Sequence, residues 1–155
     1  FAALPRLCER AGWSAVNAMT AIFTVLIEGA DIHAPVGDAM RSILDGHVML
    51  SRDLAREGHY PAIDVLGSIS RLRNDVTAAA DRANGDQLLR WLKSLKENRD
   101  LVNIGAYVAG SDPCLDAALA SRGALRAFLT QTMDERHDHA AGFAALAQLV
   151  GRKVA

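Results

Sequence analysis

The sequence predicts an α/β fold followed by an all-α region, and three observations support this prediction. Half of the 155 residues are hydrophobic, which is enough for a buried core. Strand-like apolar runs occur only in residues 1–73, whereas residues 74–155 contain amphipathic segments at helical spacing. We therefore expect two domains, the C-terminal portion of an α/β domain at 1–73 and a helical bundle at 74–155.

Residues 1–73 alternate helical and extended segments, as expected of an α/β protein. The helices are predicted at 2–11 (closed by Gly12), 36–44 and 51–57, and the extended segments at 19–27, 47–50 and 61–70. The segment Met19–Ile27 is almost continuously apolar and rich in β-branched residues, which predicts a parallel strand buried on both faces. Because a parallel sheet needs more crossover-connected strands than these, the sheet is expected to be incomplete.

Residues 74–155 carry apolar stripes that predict successive helices. The stripes are marked by Leu88, Leu92 and Leu95; by Leu115, Ala118 and Leu119; by Leu125, Phe128 and Leu129; and by Phe143, Leu146, Ala147 and Val150. Asp86 and Ser111 are the expected N-caps of the first two helices, and 77–85 is the expected hinge. The last stripe has two interpretations, because it either closes the bundle or remains as a docking surface for a partner.

Charge and motifs exclude several classes of protein. The formal net charge of −1 does not favour nucleic-acid binding, and no apolar run reaches the length of a membrane span. The sequence contains no GxxxxGK[ST], GxGxxG or GxSxG motif, and Cys8 and Cys114 lack zinc-site spacing. The segment 137–139 is interpreted as a solvated helix start with Asp138 near the cap. A reducing cytoplasm is expected, and because the chain opens on Phe1 rather than Met, a truncated chain is expected.

Two patterns combine residues that could bind a ligand. In the stretch from Gly58 to Arg71, Pro61 biases Tyr60 towards an extended backbone. In the stretch from 103 to 113, Tyr107 lies between two glycines at a turn between helices. Considered alone, each pattern is also compatible with a packing tyrosine, and Arg71 with a surface arginine.

Taken in order, these motifs resemble the export ATPases of flagella and type III secretion systems, which are related to the catalytic subunit of rotary ATP synthases. The resemblance is carried by Ser42-Ile-Leu-Asp-Gly-His47, Gly58-His-Tyr-Pro-Ala-Ile-Asp-Val65 and Ser68-Ile-Ser-Arg71. The segments Glu97-Asn-Arg-Asp100 and Gly110-Ser-Asp-Pro113 are similar to the flagellar branch. The second of these disfavours a rotary-synthase catalytic subunit.

The resemblance implies the C-terminal part of a RecA-like P-loop nucleotide domain, followed by a helical domain. It implies a homo-hexameric ATPase that binds ATP and Mg²⁺ and unloads export substrates and chaperones at a membrane export gate, with stator-like and central-stalk partners. The ATPase would be cytoplasmic and peripheral to the inner membrane. The phosphate and metal ligands are expected before Phe1, so this fragment alone is expected to be inactive. The alternative is a non-catalytic module of the same family that binds chaperones or adaptors.

The resemblance also implies roles for three residues. Arg71 matches an arginine finger that reaches the γ-phosphate bound by the neighbouring subunit. Tyr60 matches the aromatic residue that packs on adenine, and Tyr107 matches a second adenine-flanking aromatic from the helical domain. The sequence departs from the family pattern at Asn17-Ala18 and at Ala30-Asp31.

Overall fold

The structure is a computed structural model that describes residues 3–27 and 35–151. Mixed helices and strands precede a helical region, which confirms the predicted fold class. The chain divides into two compact units, Phe1–His47 and Val48–Ala155. The domain boundary expected between residues 73 and 74 stays a prediction.

The first unit contains two helices and a short hairpin. Its elements are α1 (Ala3–Cys8), β1 (Gly12–Trp13), β2 (Ala18–Met19) and α2 (Pro35–Ile43). The strands pair antiparallel, with Gly12 opposite Met19. The departure at Asn17 lies in the hairpin turn, where the Ser14 hydroxyl donates to the Asn17 carbonyl at 2.9 Å. Helix α2 buries Met40, as its apolar spacing predicts, whereas the departure at Ala30-Asp31 lies outside the described residues.

The prediction of a buried parallel strand at 19–27 is wrong. Only Ala18 and Met19 are in a strand, and residues 20–27 form no regular element. Ile22 is 93% exposed and Leu26 is 95% exposed. The reason is that a strand covered on both faces needs strands beside it, and among the described residues none pairs with 20–27.

The predicted helix cap at Gly12 is also wrong. Helix α1 ends at Cys8, and the N–H groups of Arg10 and Ala11 bond the carbonyls of Leu7 and Cys8 before Gly12 is reached. The last two carbonyls of the helix are therefore satisfied without a glycine cap. Gly12 has a φ of 134°, which side-chain-bearing residues rarely adopt, and it begins β1 instead.

The second unit begins around a two-stranded sheet. Strand β3 (Gly46–Leu50), whose first two residues are the last two of the first unit, pairs with β4 (Ile63–Ser70), and α3 (Arg52–Arg56) lies between them in sequence. These three elements confirm the predicted order of strand, helix and extended segment. The Ser51 hydroxyl caps α3 by accepting from the Leu54 N–H at 3.3 Å.

The rest of the described chain is helical. The helices are α4 (Arg73–Val76), α5 (Ala79–Glu97), α6 (Arg99–Asn103), α7 (Pro113–Ala120), α8 (Arg122–Leu129) and α9 (His139–Gly151). Their buried core consists of Leu88, Trp91, Ala118, Leu125, Leu146 and Leu149. Because Leu146 and Leu149 belong to this core, and Phe143 and Val150 pack against it, the last helix closes the bundle. No helix among the described residues is both long and apolar enough to cross a bilayer.

Two helix starts differ from those predicted. Helix α5 begins at Ala79, so Asp86 is not its cap and most of the expected hinge at 77–85 is helical. Helix α7 is capped by Asp112 rather than Ser111, because the Asp112 carboxylate accepts from the Cys114 N–H at 2.8 Å and Pro113 fits the first helical position. Asp138 does cap α9, as predicted, by accepting from the Ala141 N–H at 2.7 Å.

Candidate functional site

Tyr60 lies in the turn between α3 and β4, here called the Tyr60 turn (residues 57–61). Helix α3 ends at Arg56, and Gly58 adopts a φ of 68°, a left-handed conformation that glycine tolerates without a Cβ penalty. A cis peptide bond joins Tyr60 to Pro61. The tyrosine is 58% exposed, so its ring has a face available to a ligand.

Three hydrogen bonds attach the Tyr60 turn to α6, to α8 and to the segment after α8. The Gln131 N–H donates to the Tyr60 carbonyl at 2.9 Å. Arg126 donates to the Glu57 carbonyl at 3.2 Å, and Arg99 pairs with the Glu57 carboxylate at 3.4 Å. The orientation of the turn is therefore set by residues from α6, α8 and the segment after α8. Sequence reasoning missed all three of these partners, because each lies far along the chain from the turn.

A side-chain network sets the course of β4. The Asp64 carboxylate accepts from the Gly67 N–H at 3.0 Å, and the Ser68 hydroxyl donates to the Asp64 carbonyl at 2.7 Å. The same hydroxyl accepts from the Met49 N–H of β3 at 2.9 Å. The end of β4 is therefore held both by bonds within the strand and by a bond to β3. The segment that carries Arg71 begins at this held end.

Arg71 is exposed and follows β4 directly. Two residues later, Arg73 donates to the Arg82 carbonyl at 2.9 Å and pairs with the Asp86 carboxylate at 2.7 Å. Arg82 in turn donates to the carbonyl of Asn74 and, at 3.1 Å, to that of Thr77. We call Arg73, Arg82 and Asp86 the arginine latch. It joins α4, which begins two residues after Arg71, to α5, and an arginine on each of these helices is the sequence signal that could have indicated it.

Tyr107 lies in the loop between α6 and α7, and its hydroxyl is engaged within that loop. The hydroxyl lies 2.8 Å from the Asp116 carboxylate, to which it donates, and accepts from the Asp112 N–H at 3.3 Å. The second Asp116 oxygen accepts from the Gly110 N–H at 2.8 Å. Asp116 thus holds both ends of the segment 107–110, a role that the sequence did not indicate.

The structure does not bring Tyr60 together with either Arg71 or Tyr107. Tyr60 precedes β4 and Arg71 follows it, so an eight-residue strand of roughly 25 Å, at about 3.3 Å per residue, separates them. Within the described residues, the rings of Tyr60 and Tyr107 make no contact with each other. The segment that reaches the Tyr60 turn is instead the one after α8, through Gln131.

The described residues do not fit a metal site. No group of three or more histidine, cysteine, aspartate or glutamate side chains among them is arranged to hold an ion. Asp116 and Asp64, which have carboxylates near turns, already accept hydrogen bonds from backbone N–H groups.

Two family models match consecutive parts of the chain. Residues 1–70 match the nucleotide-binding domain of the ATP synthase alpha/beta family. Residues 77–148 match the C-terminal domain of the type III secretion ATPase EscN.

Curated relatives match along most or all of the chain. The flagellum-specific ATP synthase of Treponema pallidum is 45% identical over 155 residues, which are 100% of this chain and 35% of the relative. The flagellum-specific ATP synthase of Salmonella typhimurium is 48% identical over 140 residues, 89% of this chain and 31% of the relative. The chain spans about a third of the length of these relatives.

Solved structures agree with these matches. The assembled ATPase EscN of the enteropathogenic E. coli type III secretion system has a TM-score of 0.93 and 35% identity, over 97% of this chain and 36% of that chain. EscN in complex with its central stalk EscO has a TM-score of 0.88 at the same identity. Together with the family models and the curated relatives, these structures show that the chain belongs to the family of flagellar and type III secretion ATPases and corresponds to their C-terminal portion.

Proposed function

We propose that the protein to which this chain belongs is an ATPase that energises flagellar type III protein export, and that this chain supplies its base-binding tyrosine, its arginine finger and its helical domain. The observation that carries the proposal is the placement of two exposed side chains, Tyr60 and Arg71, at opposite ends of β4 in a chain of this family. Tyr60 would bind a nucleotide of its own subunit, and Arg71 would reach the nucleotide of a neighbour.

Tyr60 is suited to stack on the adenine base. Its ring is more than half exposed, while its backbone carbonyl is bonded to the Gln131 N–H. A ring on a fixed backbone loses little freedom when a base stacks on it, and such stacking contributes about 1–3 kcal/mol per base. The Tyr60 hydroxyl has no hydrogen-bond partner among the described residues, so we expect the ring face, and not the hydroxyl, to carry the affinity.

Arg71 is suited to stabilise the charge that develops on the transferred phosphoryl group. The planar guanidinium is always charged and donates in a fork that matches phosphate oxygens. An arginine finger accelerates phosphoryl transfer by about 10³- to 10⁵-fold. Arg71 follows a strand whose course is fixed by Asp64 and Ser68, which suits a side chain that must be presented at a defined position.

The second adenine-flanking role proposed for Tyr107 would use the ring rather than the hydroxyl. The hydroxyl is engaged with Asp116, so only the ring face is left for a base. Tyr107 is less exposed than Tyr60, so its contribution to nucleotide affinity is expected to be smaller.

The proposal extends to the assembly and location of the protein. It includes a cytoplasmic homo-hexamer, peripheral to the inner membrane at the export gate, in contact with a central stalk, a stator-like regulator, and export chaperones and substrates. Support comes from the similar ATPase EscN, which is described as assembled and in complex with its central stalk EscO. We propose that the phosphate and Mg²⁺ ligands belong to the part of the protein that this chain does not cover, since the chain spans about a third of the length of its curated relatives. The 155 residues alone are on this proposal inactive.

The test is steady-state ATP hydrolysis by the full-length protein. We expect Arg71→Ala to lower kcat on the order of 10³-fold while nucleotide binding is nearly unchanged. We expect Tyr60→Ala to weaken nucleotide binding by about 1–3 kcal/mol and Tyr60→Phe to leave it unchanged. Lys93→Ala, on the exposed side of α5, is the control for a lost surface cation.

The possible outcomes separate the proposed roles. An Arg71→Ala variant that keeps half of the wild-type rate would contradict the finger assignment. Equal loss from Tyr60→Ala and Tyr60→Phe would contradict the stacking assignment. A full-length protein with no ATP turnover at all would support the alternative, a non-catalytic module that binds chaperones or adaptors.

A further inference from the structure

The arginine latch uses the space beside Gly85, which has no side chain. Gly85 lies inside α5, and a Cβ at this position would be 2.9 Å from the guanidinium Nη2 of Arg73. That same nitrogen bonds the Arg82 carbonyl at 2.9 Å and the Asp86 carboxylate at 2.7 Å. Helix α5 therefore leaves room at Gly85 for the side chain of Arg73, which begins the preceding helix α4.

The latch joins α4 and α5 by hydrogen bonds in both directions. Arg73, the first residue of α4, donates to the backbone of α5, while Arg82, on α5, donates to the carbonyls of Asn74 in α4 and of Thr77 just after it. Each arginine thus donates to backbone carbonyls on the other side of the junction between α4 and α5. Because Arg73 is two residues from Arg71, its anchoring limits where the backbone of Arg71 can lie.

We propose that Arg73, with Arg82, Asp86 and the space left by Gly85, is a positioning device for Arg71. This inference rests on the proposed function, because it assumes that Arg71 acts on a phosphate. The strand before Arg71 is fixed by Asp64 and Ser68, and the latch fixes the start of α4 after it. A finger that must meet a phosphate bound elsewhere needs its backbone fixed on both sides, because a displacement of about 1 Å can cost on the order of 100-fold in rate.

An alternative role for the latch is simple stabilisation of the junction between β4 and α5. The two roles predict different results for Gly85→Ala. A methyl group at this position would push the Arg73 guanidinium away, since its nearest contact is the far end of that flexible side chain. Replacing glycine by alanine inside a helix raises helix stability, so the variant is expected to fold at least as well as the wild type.

The experiment measures kcat, KM for ATP and melting temperature of the full-length protein with Gly85→Ala. We expect kcat to fall on the order of 10-fold or more, KM to stay within twofold, and the melting temperature not to fall. The matched control is Gly142→Ala in α9, where a Cβ would have nothing within 4 Å, and we expect its kcat to be unchanged. Arg73→Ala is expected to lower kcat like Gly85→Ala, and Arg73→Lys to restore part of it through the pair with Asp86.

A background with Arg71→Ala separates failure of this inference from failure of the proposed function. If the latch acts through Arg71, Gly85→Ala causes no further loss of kcat in that background. If Arg71→Ala alone leaves kcat unchanged, the proposed finger fails and the latch has nothing to position. If Arg71→Ala abolishes turnover but Gly85→Ala and Arg73→Ala keep the wild-type kcat, the positioning role alone is overturned and the latch is structural.

Discussion

The helical bundle of the second unit and the segment 12–27 of the first unit are both rich in apolar residues, but they bury them to opposite extents. In the bundle, Leu115 and Ala118 are 0% exposed. In the segment 12–27, Trp13 is 90% exposed and Leu26 is 95% exposed. Apolar content alone therefore does not decide whether a stretch of this chain is buried.

The difference follows from where each kind of element finds its hydrogen bonds. A helix satisfies its backbone groups internally, so it can bury its apolar stripe against any neighbouring helix. A strand needs another strand beside it for every backbone group that it buries. The bundle finds its packing partners among the described residues, whereas 20–27 finds no pairing strand there.

The largest expected effect comes from placing the same charge in the helical bundle and in the segment 12–27. Leu146 is 7% exposed in the core of the bundle, and Ile22 is 93% exposed. We expect Leu146→Glu to destabilise the 155-residue chain by about 4 kcal/mol or more, because an unpaired carboxylate replaces a packed leucine. Ile22→Glu should change the free energy of unfolding by less than about 0.5 kcal/mol.

Chemical denaturation followed by circular dichroism measures both changes. A folded Leu146→Glu variant that had lost only the ability to bind a partner would show that α9 presents its stripe outwards. That result would also restore the docking interpretation of the stripe.

Within the second unit, the two tyrosines differ in whether the hydroxyl is hydrogen-bonded. The Tyr107 hydroxyl donates to the Asp116 carboxylate, whereas the Tyr60 hydroxyl has no partner among the described residues. We expect Tyr107→Phe to cost about 1.5 kcal/mol of stability, the usual contribution of a hydrogen bond to a charged group. Tyr60→Phe is the matched control and should have no measurable effect. Urea denaturation gives both values, and faster hydrogen exchange at the Gly110 amide would locate the loss in the 107–110 loop.

A smaller effect is expected at the surface of the second unit. Glu57 and Arg99 form an ion pair in which both side chains are more than half exposed. We expect Glu57→Gln to cost no more than about 0.5 kcal/mol, because water and salt screen such pairs. Denaturation midpoints in low and high salt would test this. We expect the difference in midpoint between the wild type and Glu57→Gln to disappear as the salt concentration rises. Glu97→Gln in the exposed pair with Lys93 is the control within a single helix.

The smallest effect concerns the pH dependence of the turn before α9. A hydrogen bond from His137, followed by one from the Thr132 N–H, lowers the pKa of Glu135. A carboxyl whose pKa is lowered by folding contributes stability above its unfolded pKa, about 4.3 for glutamate, and that stability is lost as the pH falls through the folded pKa. Glu135→Gln should remove this part of the acid sensitivity. An NMR titration in which Glu135 shows an ordinary pKa would contradict the expectation.

The sequence predicts elements well where a local signal is sufficient. Ser51 before α3, Asp138 before α9 and the apolar stripe of α2 each determine an element from residues within one or two turns of helix. The prediction at Met19–Ile27 failed because strand formation depends on partners far along the chain. The hinge expected at 77–85 is wrong for a related reason: residues 79–85 are helical, and Gly85 at the end of this stretch makes space for Arg73 rather than breaking the helix.

The site follows the same division. Tyr60 and Arg71 were identified by a motif that is continuous in sequence. The groups that hold them, Gln131 and Arg126 for the Tyr60 turn and Arg82 for the segment after Arg71, are separated from them along the chain and have no motif of their own. These partners come together only in the folded chain.

The bond between Gln131 and Tyr60 has a consequence for the evolution of the chain. It joins two backbones, so it does not depend on the side chain at either position. Every amino acid except proline supplies the N–H that it needs at position 131. The side chain there is therefore free to drift among descendants without moving the tyrosine, and selection at that position acts against a single amino acid rather than in favour of one.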